Sequence, residues 1–176
     1  ENLQPTGAFK LRGASNKLLS LDGKQRRRGV VTVSSGNHGR AVAYVARQLG
    51  IPAVVFLSEK TPQVKIEAIR KLKAEVRIAG SSDDEAEQTA LMLQEARQMV
   101  MVDSFDDPLV IAGQGTIGLE IFSELPETEL VVIPLSGGGM AGGISLFAKS
   151  CSQEVRTIGV SMDRAPVMYH SLQAGH

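Results

Sequence analysis

Cysteine is almost missing from this sequence, with Cys151 the sole one among 176 residues. An internal disulfide is therefore excluded, and nothing has the Cys/His spacing of a zinc site. Net charge is missing too, because 19 basic and 19 acidic residues cancel. The chain thus lacks the electrostatic footprint of a nucleic-acid binder. No apolar run reaches the roughly 20 residues that a membrane-spanning helix needs, and no stretch reads as a signal peptide. These absences lead to the expectation of a cytoplasmic protein with neither nucleic acid nor membrane among its partners. What remains is ordinary for a globular protein, 43% hydrophobic and 22% charged. The length suits one domain or two small lobes with a sizeable core. Both ends look abrupt, since Glu1 opens directly into a motif and His176 closes just after an apparent helix. A fragment, or the ordered part of a longer protein, is expected.

Short apolar runs alternate with helical periodicity, the pattern of parallel strands joined by crossover helices. Strands are expected at 29–33, 53–57, 75–78, 99–102, 130–133 and 157–160. Helices are expected between them, and a last one ends near Gly175. Arg26-Arg27-Arg28 before Gly29 reads as a helix C-terminus, with cations at the negative end of the dipole and glycine as a left-handed cap. Ser82 reads as a helix cap, with Glu85 completing a capping box. The first four strands and their helices are expected to form one lobe, about Gly29 to Asp106.

Three segments call for more than packing. In Pro5-Thr6-Gly7-Ala8-Phe9-Lys10, proline and glycine make a turn that leaves Lys10 near the first turn of a helix. A cation there faces the positive end of the dipole, which costs roughly 0.3–1 kcal/mol at an exposed site. Burial among Ala8, Phe9 and Leu11 would lower its basicity further and favour a neutral amine nucleophile. A solvated lysine beside a turn is the other reading, and local features do not separate the two.

Ser34-Ser35-Gly36-Asn37-His38-Gly39 lies at the carboxyl end of a strand, where ligands bind in parallel sheets. Small residues at a helix N-terminus leave backbone amides and hydroxyls open to an anion such as a substrate carboxylate. Simple capping by Ser35 or Asn37, and a structural role for His38, are the alternatives. Ser136-Gly137-Gly138-Gly139-Met140 also joins a strand to a helix, and successive glycines let backbone amides converge on a phosphate. Gly137, Gly139 and Gly142 also match the G-x-G-x-x-G spacing of dinucleotide sites, and Asp163 follows the next strand about 20 residues on. Against that rival, Pro134 and two further residues intervene before the glycines.

Together the segments resemble the fold-type II pyridoxal-phosphate (PLP) enzymes, the family of threonine and serine dehydratases and serine racemase. The likeness runs in order through residues 1–10, Ser35-Gly36-Asn37-His38-Gly39, Ile111-Ala112-Gly113-Gln114-Gly115-Thr116 and Gly137-Gly138-Gly139-Met140. It implies an α/β fold of the tryptophan synthase β type, with parallel sheets flanked by helices in two lobes. Residues 29–106 would be the small lobe, and 1–28 with 107–176 part of an incomplete large lobe. The implied cofactor is pyridoxal 5'-phosphate. It would be held by a Schiff base to Lys10, by Phe9 and Asn37, the latter at the phenolic oxygen, and by Ser136, Gly137, Gly138, Gly139 and Met140 around the phosphate. The family more often has glycine at position 136.

Ser34, Ser35 and His38 would line the pocket for the carboxylate of a small amino-acid substrate. Lys10 would take the α-proton of a β-hydroxy amino acid, and loss of water with hydrolysis of the enamine would give a 2-oxo acid and ammonia. Ser35 stands where many dehydratases carry alanine and serine racemase carries a catalytic serine, so racemisation is an alternative. Racemases of this type bind a divalent metal through a carboxylate that aligns with Ser161, and Val167 replaces another acid. No metal is therefore expected. The stretch from Gly159 to Arg164, with Met168 and residues 171–175, is similar to the dehydratases of hydroxyectoine utilisation. The resemblance also implies a homodimer about twice as long per chain, with the ligand of the pyridine nitrogen beyond His176. A dinucleotide-binding module and a non-catalytic fragment are the remaining readings.

Overall fold

The computed structural model describes residues 1–175, which form two compact units, Glu1–Ser104 and a second beginning at Phe105. The first unit starts with an irregular segment and two helices, α1 (Lys10–Leu19) and α2 (Gly23–Arg28). A regular alternation follows: β1 (Val30–Val33), α3 (Asn37–Leu49), β2 (Ala53–Leu57), α4 (Gln63–Arg70), β3 (Glu75–Ile78), α5 (Asp83–Arg97) and β4 (Val100–Met101). The strands make one parallel sheet in the order β3-β2-β1-β4, with Val31 opposite Val54 and Met101, and Val55 opposite Val76.

A strand between helical layers buries both faces, which is why β2 is apolar without alternation. Val54 and Phe56 point to one side and pack with Val31, Ala86, Ala90 and Met99. Val55 and Leu57 point to the other and pack with Ala43, Ile66 and Ile69. Each fully buried side chain of this size contributes roughly 1.5–3 kcal/mol. These layers hold the carboxyl ends of the strands in place for the loops described below.

The boundaries of β2 and β3 match expectation, and several others shift for identifiable reasons. Helix α3 begins at Asn37, before the apolar stripe that starts at Ala41, because the turn at Gly36 already aims the chain into the helix. Gly29 closes α2 with a positive φ of 87° as expected of a glycine cap, but its ψ of −178° lies outside the left-handed helical well. A Cβ there would fall 2.5 Å from the Pro52 carbonyl oxygen, which makes glycine a steric requirement. The start of α2 holds an unexpected reciprocal capping box between Asp22 and Gln25. At α5, Ser82 accepts from the Glu85 amide at 3.2 Å as expected. The Glu85 carboxylate, however, reaches the Ser81 amide at 2.6 Å, so the box is displaced by one residue. Strand β4 shrinks to two residues because Met99 donates its amide to Gln94 and closes α5 instead.

The second unit comprises α6 (Pro108–Glu124), β5 (Leu130–Pro134), α7 (Gly139–Cys151), β6 (Arg156–Val160) and α8 (Val167–Ala174). Asp107 caps α6 through the amides of Leu109 and Val110, with Pro108 at the first helical position. Strands β5 and β6 form a parallel pair. The apolar run of β5 reads as a buried strand, yet Leu130 and Val132 are exposed and Ile133 is buried. Helices α6 and α7 cross backbone to backbone: a Cβ on Gly143 would lie 2.4 Å from the Ile111 carbonyl oxygen and 2.7 Å from the Gly115 amide nitrogen. This accounts for Gly115 of the 111–116 motif as a packing residue. Among the described residues no helix is long and apolar enough to cross a membrane.

Candidate active site

In the first unit the segment before α1 is folded by its own turns. Gln4 donates its amide to Glu1, Gly7 donates to Gln4 at 2.7 Å, and Gly7 takes φ 71°. Arg12 grips Glu1 with two nitrogens, at 2.8 and 3.0 Å, and so ties the segment to the helix. Lys10 is the first residue of α1, and no side chain caps that helix. Its Nζ donates to the carbonyl of Ser104, beyond the end of β4. The Phe9 ring lies 5.3 Å from the same nitrogen. Burial pushes the Lys10 amine below the ordinary lysine range, and the negative charge of Asp103 opposes that shift. The result is a half-buried, less basic amine, which suits a lysine nucleophile. Thr6, in the same segment, is 3% exposed, and its hydroxyl has no hydrogen-bond partner.

The loop after β1 is the second part of this unit's site. The Gly36 amide meets Ser34 Oγ at 3.3 Å. Gly36 occupies the capping position of α3, and no side chain accepts from the first turn. Capping, the bland reading of Ser35 and Asn37, is therefore not what these residues do. Gly39 is required by space alone, because a Cβ would sit 2.2 Å from the Ser34 carbonyl oxygen. His38 is 2% exposed, with Nε2 3.0 Å from the Val102 carbonyl oxygen. Since a carbonyl can only accept, that ring nitrogen carries the hydrogen. Thr32 donates to the same oxygen at 2.8 Å. Histidine and threonine together pin the root of the 103–104 segment that meets Lys10.

The remaining expected residues belong to the second unit. Ser136 and Gly137 lead into α7, whose N-cap is Gly138 at φ 90°, again with no side-chain cap. The glycines are needed for close approach. A Cβ on Gly137 would lie 2.7 Å from the Phe105 ring, and one on Gly139 would lie 2.9 Å from the Phe105 Cα. The first amides of a 13-residue helix are thus left without a capping side chain beside a bare backbone turn, which is the arrangement that binds phosphate. Asp163, the acid of the dinucleotide alternative, is exposed beyond the end of β6. No group of three or more His, Cys, Asp or Glu able to hold a metal occurs among the described residues.

The structure brings Lys10, Phe9 and the 34–38 loop into one unit, where α1 packs on α3, and sets residues 136–140 in the other. Sequence reasoning missed Asp103, Ser104 and Phe105. Ser104 meets Lys10 across 94 positions of sequence, and nothing local marks it. A usable signal was their place just after a strand of a parallel sheet, where ligand-facing loops lie.

The first unit thus offers a half-buried amine and a small-residue loop at an uncapped helix start, and the second offers a glycine turn at another, features that suit a phosphorylated, carbonyl-bearing cofactor. The chain belongs to the family of pyridoxal-phosphate dependent enzymes, whose model matches residues 1–176. It is 49% identical over 175 residues to the L-threonine ammonia-lyase of Thermotoga maritima, covering 99% of this chain and 44% of that protein. It is 47% identical to the L-threonine ammonia-lyase of Geobacter sulfurreducens, with the same two coverages. Processed threonine deaminase isoform 2 of Solanum lycopersicum superposes with a TM-score of 0.94 at 40% identity, covering all of this chain and 48% of that one. Maize serine racemase superposes with a TM-score of 0.94 at 35% identity, over 99% and 53% of the two chains. The fold is therefore that of the fold-type II PLP enzymes, and the chain spans about half the length of the curated relatives it matches.

The residues present fit the cofactor. The amine is weakened by burial, and the Thr6 hydroxyl is buried without a partner. Asn37 is free of capping duty, and Gly138 opens α7 with no capping side chain on its first amides. Family membership displaces the dinucleotide reading of the same glycines.

Proposed function

We propose that the chain is part of a PLP-dependent dehydratase, an ammonia-lyase that converts a small β-hydroxy amino acid such as threonine or serine to a 2-oxo acid and ammonia. The observation that carries this reading is the half-buried amine of Lys10, at the start of α1 and bonded to the Ser104 carbonyl, in one unit with the uncapped 34–38 loop. The names of the ammonia-lyase relatives support the substrate class. Lys10 anchors the cofactor through Nζ and exchanges the α-proton of the substrate. Phe9 packs beside it, and the Asn37 amide orients the ring. Backbone amides from Ser136 to Met140, with Gly137, Gly138 and Gly139 between them, hold the phosphate. Ser34 and Ser35 offer hydroxyls to the substrate carboxylate, whereas His38, expected to line the same pocket, is buried and bonded to the Val102 carbonyl. When bound, PLP supplies an electron-accepting ring that delocalises the charge left by removal of the α-proton.

In the lobe arrangement we propose, residues 29–106 form the small lobe, and 1–28 with 107–176 belong to the cofactor-binding lobe. The protein acts as a homodimer in the cytoplasm. Racemisation is the second reading, favoured by Ser35 and by the likeness to maize serine racemase.

The test is to add PLP, record the visible band, reduce with borohydride and map the labelled peptide. Label on Lys10, lost in Lys10→Ala, supports the assignment, and label elsewhere or none overturns it. Incubation with L-threonine and L-serine should then yield 2-oxo acid with the recovered substrate unchanged in chirality. Recovery of D-amino acid without 2-oxo acid would replace the dehydratase by the racemase.

A further inference from the structure

We propose that Thr32 and His38 act together as positioning residues for Lys10, by clamping a backbone carbonyl that stands two residues from the amine's partner. That carbonyl belongs to Val102. It accepts from Thr32 Oγ1 at 2.8 Å and from His38 Nε2 at 3.0 Å. The Val102 amide donates in turn to the Val31 carbonyl at 2.9 Å. Two residues further on, the Ser104 carbonyl accepts from Lys10 Nζ. Residues 102–104 belong to no helix or strand, so bonds such as these set their course.

Packing alone does not account for the pair. Thr32 is 1% exposed and His38 2%, and a hydroxyl or imidazole so deeply buried is costly unless it is bonded. One donor would be enough to satisfy the carbonyl. Two donors arriving from different elements, β1 and the first turn of α3, fix its direction as well as its place.

The position of the clamp in the sheet points the same way. In the order β3-β2-β1-β4 the chain builds outward from β1 to β3, then returns to lay β4 on the other side of β1. Ligands of parallel sheets bind at such a reversal, beyond the carboxyl ends of the strands that flank it. The 34–38 loop leaves β1 and residues 103–104 leave β4, with the Lys10 amine held on the latter. The clamp ties these two segments together.

Loss of one donor should let residues 102–104, and the amine bonded to them, sample more positions. Attack on a carbonyl carbon needs near-contact geometry, and a misplacement of about 1 Å is enough to slow it. The inference rests on Lys10 as the cofactor's attachment point and extends that reading to two residues that act through the backbone.

The experiment compares the native chain with Thr32→Val, which keeps the shape and removes the hydroxyl, and with Thr32→Ser, which keeps the hydroxyl. Each is mixed with limiting PLP, and the borohydride-fixed label on Lys10 is followed in time against that on exposed Lys24. Thr32→Val should label Lys10 roughly threefold to tenfold more slowly with Lys24 unchanged, and Thr32→Ser should label near the native rate. In the cofactor-free chain, hydrogen exchange of the 102–104 amides should quicken roughly tenfold in Thr32→Val, with β2 and β3 unchanged. Native-like labelling or exchange in a folded Thr32→Val chain overturns the clamp. So does faster exchange across the whole sheet, or a serine variant as slow as the valine one. Should Thr32→Val not fold, the nitrogen-15 spectrum of His38 in the native chain decides: Nε2 should carry the hydrogen, and a hydrogen-free Nε2 overturns the proposal. Failure of the Lys10 assignment looks different, with no label on Lys10 even in the native chain and the exchange result intact.

Discussion

The loop after β1 and the loop after β5 solve one problem with different chemistry. Each leaves a parallel strand and opens a 13-residue helix whose first turn lacks a side-chain cap. Helices α2, α5 and α6 are capped by Asp22, Ser82 and Asp107, whereas α1, α4 and α8 also start without a side-chain cap. The first loop keeps its side chains, with two serines and an asparagine ahead of the tight glycine at position 39. The second discards them, and its glycines press the backbone onto Phe105. Side chains with fixed hydrogen-bonding patterns recognise a particular shape, whereas converging backbone amides recognise negative charge on a compact group. Under the proposed function, the first loop would take a ring or a carboxylate and the second a phosphate.

The largest effect that would break this contrast is expected at Gly39. Alanine there puts a Cβ against the backbone oxygen of Ser34, an atom that cannot rotate away, so Gly39→Ala should lose about 3 kcal/mol in urea unfolding. Gly137→Ala meets the Phe105 ring, which can turn, and should lose about 1–2 kcal/mol while retaining PLP less well in equilibrium dialysis. Adding Phe105→Ala should recover part of the stability loss, a coupling of roughly 0.5–1 kcal/mol in a double-mutant cycle. Asn37→Ala separates binding from folding. Because Asn37 caps nothing, thermal unfolding of the cofactor-free chain should change by less than about 0.5 kcal/mol, while PLP retention should fall about tenfold.

The smallest effect concerns acid. The Ser81 amide and hydroxyl hold the Glu85 carboxyl below the ordinary carboxylate range. A depressed folded-state value adds stability above the ordinary range and loses it as pH falls through the lowered value. Hydrogen exchange in the first turn of α5 should therefore quicken in acid, with no matching step at the uncapped start of α3.

Much of the sheet unit was legible because its signals are local. Between Pro52 and Gly80, β-branched runs and glycine or proline breaks place β2 and β3 without reference to anything distant. Lys10 could be put at a helix start from the preceding turn alone. Its partners could not, since the carbonyl that receives its hydrogen bond belongs to a residue 94 positions away. The exposure of Leu130 and Val132 was equally hidden, because an apolar strand looks the same whether or not another layer covers it. Gly115, within residues 111–116, carried a family signature whose physical reason, a crossing of two backbones, emerges once α7 is set against α6.

That crossing has a consequence for how the protein can change over generations. Where Gly115 meets Gly143, the separation of two helices is set by main-chain atoms, which every sequence shares. Neighbouring side chains can be exchanged one at a time while the axis that presents the glycine turn stays where it is. The two glycines themselves have almost no permitted replacements. Variation in this part of the molecule is thus channelled to its outer faces, and the glycine turn before α7 inherits a geometry that drift cannot easily erode.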